Sequence, residues 1–208
     1  MSSQKGTDLH ITKGKAFANA VFRFFQDKGI ELKAEPTLEI GFKGKAQKEH
    51  AFDFSGKNIL IECKANKWRN GNDVPSGKLT ECTAAMLYFY LAPKGCKKYF
   101  FAKKEYSEKK KQTLLQYYIK HNNHLIPEDV ILVDYDVKTK SCTVYTYDKN
   151  LQKHKENKKF AFQTRRKKIL KNFFGEIFTR SILLSMTFPS SVVKYKNIFP
   201  YKITASML

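Results

Sequence analysis

Apolar residues recur at helical spacing early in the chain. Phe17, Ala18, Val21, Phe22, Phe24 and Phe25 share one face of a segment from Gly14 to Lys28, and Gly29 follows as a stop. This predicts an amphipathic helix packed on a sheet. From Glu31 to Phe42 the pattern alternates imperfectly through Leu32, Ala34, Leu38 and Ile40, an edge-prone strand interrupted by Pro36. Lys43 to Glu49 reads as a basic loop. Two runs rich in β-branched and aromatic residues, His50 to Phe54 and Ile59 to Lys64, then flank Ser55-Gly56-Lys57-Asn58 and predict a β-hairpin. Lys67 to Gly77 lacks periodicity and reads as an exposed loop, with Trp68 expected to cap the core. A second helix is predicted from Lys78 to Leu91, buried through Leu79, Cys82, Ala85, Met86 and Phe89 and ended by Pro93 and Gly95. The apolar run Lys98 to Ala102 is a strand, parallel to the one before the helix if the crossover has its usual hand. Beyond it, a helix over Ser107 to Asn122 and paired strands over Val130 to Tyr135 and Ser141 to Tyr147 would widen the sheet.

The hairpin is where the polar positions become informative. Side chains alternate across a strand, so Glu62 and Lys64 point one way and Ile59, Ile61 and Cys63 the other. If Ser55 to Asn58 form the turn, Phe54 pairs with Ile59 and Asp53 with Leu60, and Asp53 joins the face of Glu62 and Lys64. The diagonal cross-strand separation, roughly 7–8 Å, is one that two carboxylates can close around a divalent cation. Glu-x-Lys also occurs at Glu31, Glu108 and Glu156, but the copy at Glu62 has an aspartate on a preceding strand at matching parity. The plain alternative is a solvated strand face with an incidental Glu62–Lys64 salt bridge.

Asp53 followed by Glu62-Cys63-Lys64 resembles the PD-(D/E)XK nuclease superfamily, which includes type II restriction endonucleases, Holliday-junction resolvases and repair nucleases. The order helix, three strands, helix, strand from about Gly14 to Ala102 is similar to that family's core. The resemblance implies an α/β fold with a restriction-endonuclease-like core, a mixed central sheet flanked by helices. It implies catalysis by Asp53, Glu62 and Lys64, with Mg²⁺ or Mn²⁺ held by Asp53, Glu62 and the Cys63 carbonyl, and Lys64 orienting the attacking water. Phe52 replaces the proline of the family's name. Many members carry a further carboxylate in the first helix, where this chain has only Asp27 at the end; Glu39, Glu49 or Glu81 could stand in.

Charge supports a polyanionic partner. Lys+Arg 39 against Asp+Glu 19 gives +20 over 208 residues, although an excess of lysine over arginine also follows from an AT-rich genome. Lys43, Lys45, Lys78 and the cluster Arg165, Arg166, Lys167 and Lys168 are candidate DNA-phosphate contacts. Hydrophobic residues at 42% provide for a real core. The composition shifts at Lys149, so a nuclease domain over 1–148 and a basic helical extension over 149–208, packed on the same domain, are expected. Cys63, Cys82, Cys96 and Cys142 are too scattered for a zinc site or a disulfide framework and point to a reducing compartment. With no signal-peptide pattern and no apolar run of membrane-spanning length, the expectation is a cytoplasmic protein that does not enter a membrane. His121 and His124 share a helix face but lack a third ligand nearby and read as capping residues. The function expected is Mg²⁺-dependent hydrolysis of DNA, foremost by a type II restriction endonuclease acting as a symmetric dimer. A structure-selective repair or resolvase-like nuclease and a non-catalytic DNA binder with a degenerate nuclease fold are the alternatives.

Overall fold

The computed structural model describes residues 3–70 and 72–162, with side chains from residue 13 onward. The elements in order are α1 (Ser3–Gln26), β1 (Leu32–Ala34), β2 (Thr37–Ile40), β3 (Lys48–Ala51), β4 (Phe54–Gly56), β5 (Ile59–Lys64), α2 (Ser76–Leu91), β6 (Lys97–Lys103), β7 (Tyr106–Ser107), β8 (Gln112–Thr113), α3 (Leu114–Asn122), β9 (Val130–Asp136), β10 (Ser141–Asp148) and β11 (Lys153–Glu156). Seven strands make one sheet in the order β1-β4-β5-β6-β9-β10-β11. β5, β6 and β9 run parallel and the remaining pairings are antiparallel, so the sheet is mixed. Each parallel step is bridged by a helix, α2 between β5 and β6 and α3 between β6 and β9.

Strand alternation sorts the core into two layers. Ile61, Phe101, Val133 and Tyr135 face α1, meeting Phe17, Val21, Phe24 and Phe25. Leu60, Phe100 and Leu132 face the other way, onto Met86 and Phe89 of α2 and Leu115 and Tyr118 of α3. Helices therefore cover both faces, as the hydrophobic runs in the parallel strands require. Among the described residues no helix is long and apolar enough to cross a membrane.

The N-terminal strands form one interrupted hairpin. Leu32↔Gly56, Ala34↔Phe54, Thr37↔Ala51 and Ile40↔Lys48 all keep a single register, and the gap is spanned by Glu35 N–H donating to the Asp53 carbonyl (2.9 Å) and Phe52 N–H to that of Pro36 (3.1 Å). The hairpin changes face at this point. Phe54 packs toward α1, whereas Phe52, Leu38 and Ile40 pack toward α2. Glu35 at φ 48 and the following Pro36 turn the chain here, so that β2 and β3 form an arm off the sheet, folded onto the α2 side.

Several expected boundaries move. The predicted basic loop Lys43 to Glu49 is shorter, because Lys48 and Glu49 pair with Ile40 and Glu39. The helix expected from Ser107 starts at Leu114; Ser107 Oγ takes up the Lys110 N–H, Lys111 adopts φ 51, and β7 pairs with β8 instead. Thr113 then caps α3 in a capping box with Gln116, and its hydroxyl also donates to the buried Asp134 of β9. Burial pushes the Asp134 carboxyl up to about 7, with the Thr113 hydrogen bond acting against it. The hydrophilic run after Lys149 does not end the sheet: Lys153 to Glu156 pair with β10, burying His154. Trp68 is buried, its Nε1–H donating to the Glu105 carbonyl at 3.0 Å, the core-capping role expected of it.

Gly56 closes the sheet end of the hairpin where no side chain fits, since a Cβ there would lie 2.9 Å from the Glu31 carbonyl oxygen. Gly56→Ala should therefore lower stability by about 1–3 kcal/mol, measured by denaturant unfolding. An unchanged midpoint would show that the β1 edge yields freely.

Candidate active site

Asp53, Glu62 and Lys64 come together, but through a register different from the expected one. The turn is Lys57-Asn58 alone, with Asn58 at φ 59, and Gly56 pairs with Ile59, Ser55 with Leu60 and Phe54 with Ile61. The strand has slid by two residues, and a slip of two keeps every side chain on its face. Continued by one pair, the register sets Asp53 directly across from Glu62 rather than diagonal to it.

A hydrogen bond fixes the aspartate. Past Phe54 the chain leaves β5, so the next outward N–H of β5, that of Cys63, has no ladder partner. Asp53 Oδ2 accepts it at 2.6 Å. The Cys63 carbonyl points to the same edge as its N–H, as strand geometry dictates. Its thiol points to the α1 layer, where burial first, then the Asp53 and Glu62 charges, hold it well above the ordinary thiol range.

Glu62 is 7% exposed, and its Oε1 accepts from Lys64 Nζ at 2.6 Å. Burial pulls the Lys64 ammonium down, but the Glu62 charge and hydrogen bond, with Asp53 behind them, outweigh it and leave its pKa raised. Lys64 is thus a charged donor in the site. Asp53 bears the opposite imbalance: burial and then the Glu62 charge push its carboxyl to about 6, against the Cys63 hydrogen bond and the Lys64 charge. Beside Lys64 on β6 stands Ala102, whose small side chain leaves a cleft lined also by Asn66, Cys82 and Tyr118. Asn66 Nδ2 donates to the Lys78 carbonyl (3.2 Å) and to Cys82 Sγ (3.4 Å), tying the strand exit to the start of α2.

The three candidate extra carboxylates lie elsewhere. Glu39 and Glu49 oppose each other on the exposed face of the arm, away from the face carrying Leu38 and His50. Glu81 is exposed and paired with Lys78 (2.6 Å). The carboxylate whose charge does reach Asp53 is Glu35, its partner across the hairpin. Its signal in the sequence was the Glu35-Pro36 interruption, legible only once the hairpin is extended past Pro36. His50 lies within reach of the Asp53 and Lys64 charges. Burial and Lys64 lower its pKa, Asp53 opposes them, and its ring packs on Tyr88 with centroids 3.9 Å apart. Lys43 and Lys45 are exposed at the arm tip; Arg165, Arg166, Lys167 and Lys168 lie outside the described residues.

Among the described residues, no three His, Cys, Asp or Glu side chains gather as a metal site. What the geometry offers is two facing carboxylates and a main-chain carbonyl, an all-oxygen set of the kind hard divalent cations take. Burial is the larger cause of the upward shift of Asp53, and the Glu62 charge that adds to it is what a bound cation would offset.

That shift has a measurable sign. The fold favours neutral Asp53, so its contribution is complete below about pH 4 and is lost as the pH rises through about 6. Between these limits the metal-free protein should lose stability relative to Asp53→Asn, by up to about 3 kcal/mol before solvent screening. Paired denaturation curves at pH 4 to 7 measure the difference; parallel curves would show that Asp53 is not held neutral.

No family model, no curated protein and no solved structure matches this chain.

Proposed function

We propose that the protein is a metal-dependent endonuclease that hydrolyses DNA phosphodiester bonds, on a restriction-endonuclease-like core. The observation that carries this reading is the convergence of Asp53, Glu62 and Lys64 at one end of β5, with Lys64 beside a cleft. Asp53, Glu62 and the Cys63 carbonyl would hold Mg²⁺ or Mn²⁺, which supplies positive charge for polarising a phosphoryl oxygen and for acidifying water. Lys64, charged and kept in place by Glu62, would orient the attacking water and stabilise charge growing on the phosphorus-bound oxygens. Asn66 would position the chain that leaves the site. Lys43, Lys45 and Lys78 would contact phosphates, the last while sharing its charge with Glu81.

Two nuclease readings part on selectivity. A type II restriction endonuclease would act as a dimer on a palindromic sequence. A repair or resolvase-like enzyme would select a DNA structure. Plasmid and phage DNA, set beside synthetic forks and junctions in Mg²⁺, separate them: discrete bands from plasmid favour the first, cutting confined to forks or junctions the second.

Lys64→Ala should lower the cleavage rate about 10²–10³-fold while leaving binding in EDTA within a few-fold of wild type. Asp53→Ala should abolish cleavage and the stabilisation by Mg²⁺, which in the wild type should grow as the pH rises past about 6 and Asp53 ionises. DNA binding with no cleavage in either Mg²⁺ or Mn²⁺ would instead establish the non-catalytic reading.

A further inference from the structure

The tip of the β2–β3 arm carries a side chain that the fold does not use. Phe42 is 56% exposed, although Leu38 and Ile40 just before it are packed against the α2 layer. It opens a tight turn in which Lys45 N–H donates to the Phe42 carbonyl at 3.0 Å and Gly44 takes φ +79. At Gly41 an added Cβ would crowd the Ala46 carbonyl and the Gln47 backbone at 3.3 Å, so the two sides of the loop lie close together. The ring is thus presented on a compact tip. Around it, Lys43, Lys45 and Lys48 are exposed and, among the described residues, form no ion pair. Lys78, Lys103 and Lys111, by contrast, each have a glutamate.

An exposed ring among unpaired ammonium groups matches a ligand that offers flat apolar faces and anionic oxygens at short intervals. Nucleic acid does so where its bases are unstacked, because a paired, stacked base hides its face. The arm also leads directly from the candidate site, since β3 runs into Phe52 and Asp53. Continued past Ile40↔Lys48, the register sets Phe42 level with Ala46, so at roughly 3.3 Å per residue the tip stands about 23 Å along the arm from Asp53. On a DNA strand this is about seven nucleotides.

We propose that the arm tip binds unpaired DNA, Phe42 stacking on an exposed base while Lys43, Lys45 and Lys48 hold the adjoining phosphates. Resting on the nuclease reading, this makes forked or flapped DNA the preferred substrate, cut about seven nucleotides from the point where pairing ends.

The full chain in EDTA, titrated into fluorescently labelled forked duplex, blunt duplex and single strand, measures binding apart from cleavage. The fork and the single strand should bind more tightly than the blunt duplex. Phe42→Ala should weaken fork binding five- to a hundredfold with an unchanged melting temperature, and Phe42→Tyr should restore it. Lys43→Gln with Lys45→Gln should flatten the salt dependence by about two phosphate contacts. Equal affinity for fork and blunt duplex, or a Phe42→Ala variant that binds the fork like wild type, would overturn the proposal. So would Phe42-dependent binding to phosphatidylserine vesicles with none to DNA, which would make the tip a membrane contact. Fork cleavage in Mg²⁺ is scored separately. Its absence alongside Phe42-dependent binding counts against the nuclease reading alone, and its presence without Phe42 dependence counts against the arm alone.

Discussion

A single hydrogen bond, from the Cys63 N–H to Asp53 Oδ2, holds the candidate site together. It forms where the hairpin parts from β5 and a strand donor would otherwise be left inside the protein without an acceptor, at a cost of about 1–3 kcal/mol. The side chain that fills this need is a carboxylate, and filling it brings negative charge up against Glu62. One backbone vacancy therefore fixes where the sheet opens, which way Asp53 points and why two acidic groups sit across from each other.

The same protein treats the fully buried carboxylate of Asp134 differently. Asp134 is enclosed between β9 and the start of α3, anchored by the Thr113 hydroxyl, and burial alone accounts for most of its rise to about 7. Its network ties a helix cap to a strand, which is structural work. Asp53 has a like charge for a neighbour and an ammonium close by through Glu62, and it is only half-buried. With all three groups ionised the cluster is one charge negative. The difference lies in whether the imbalance is sealed within the core or left where a solute can meet it.

Much of this was legible in the sequence because it depends on parity. The expected turn was two residues too long, yet Asp53 still shared a face with Glu62 and Lys64, since only an odd slip reverses a strand. The helix α1 from Gly14 onward, the helix α2 and the strands β5, β6, β9 and β10 follow from apolar spacing strong enough to dominate its surroundings, whereas the start of α1 at Ser3 does not. What the pattern hid was decided by individual groups. Glu31 to Phe42 reads as one strand interrupted by Pro36, as it is, but nothing in the pattern shows that both parts pair in one register with residues 48–56, so the place of Glu35 across from Asp53 is hidden. The capping box Thr113-Leu114-Leu115-Gln116 was present in the sequence, but the run of lysines before it reads as helix until Ser107 and Lys111 are seen to turn the chain. β11 consists of charged residues around His154, and only that one buried ring marks it as part of the sheet.

That last strand also shapes a border of the sheet. β11 is the outermost member of the sheet, and Lys153 and Lys155 are exposed along it, with Lys155 already engaged by Asp148. A strand laid along this border would meet the Lys153 ammonium. Charged side chains of this kind discourage strand addition at a sheet border.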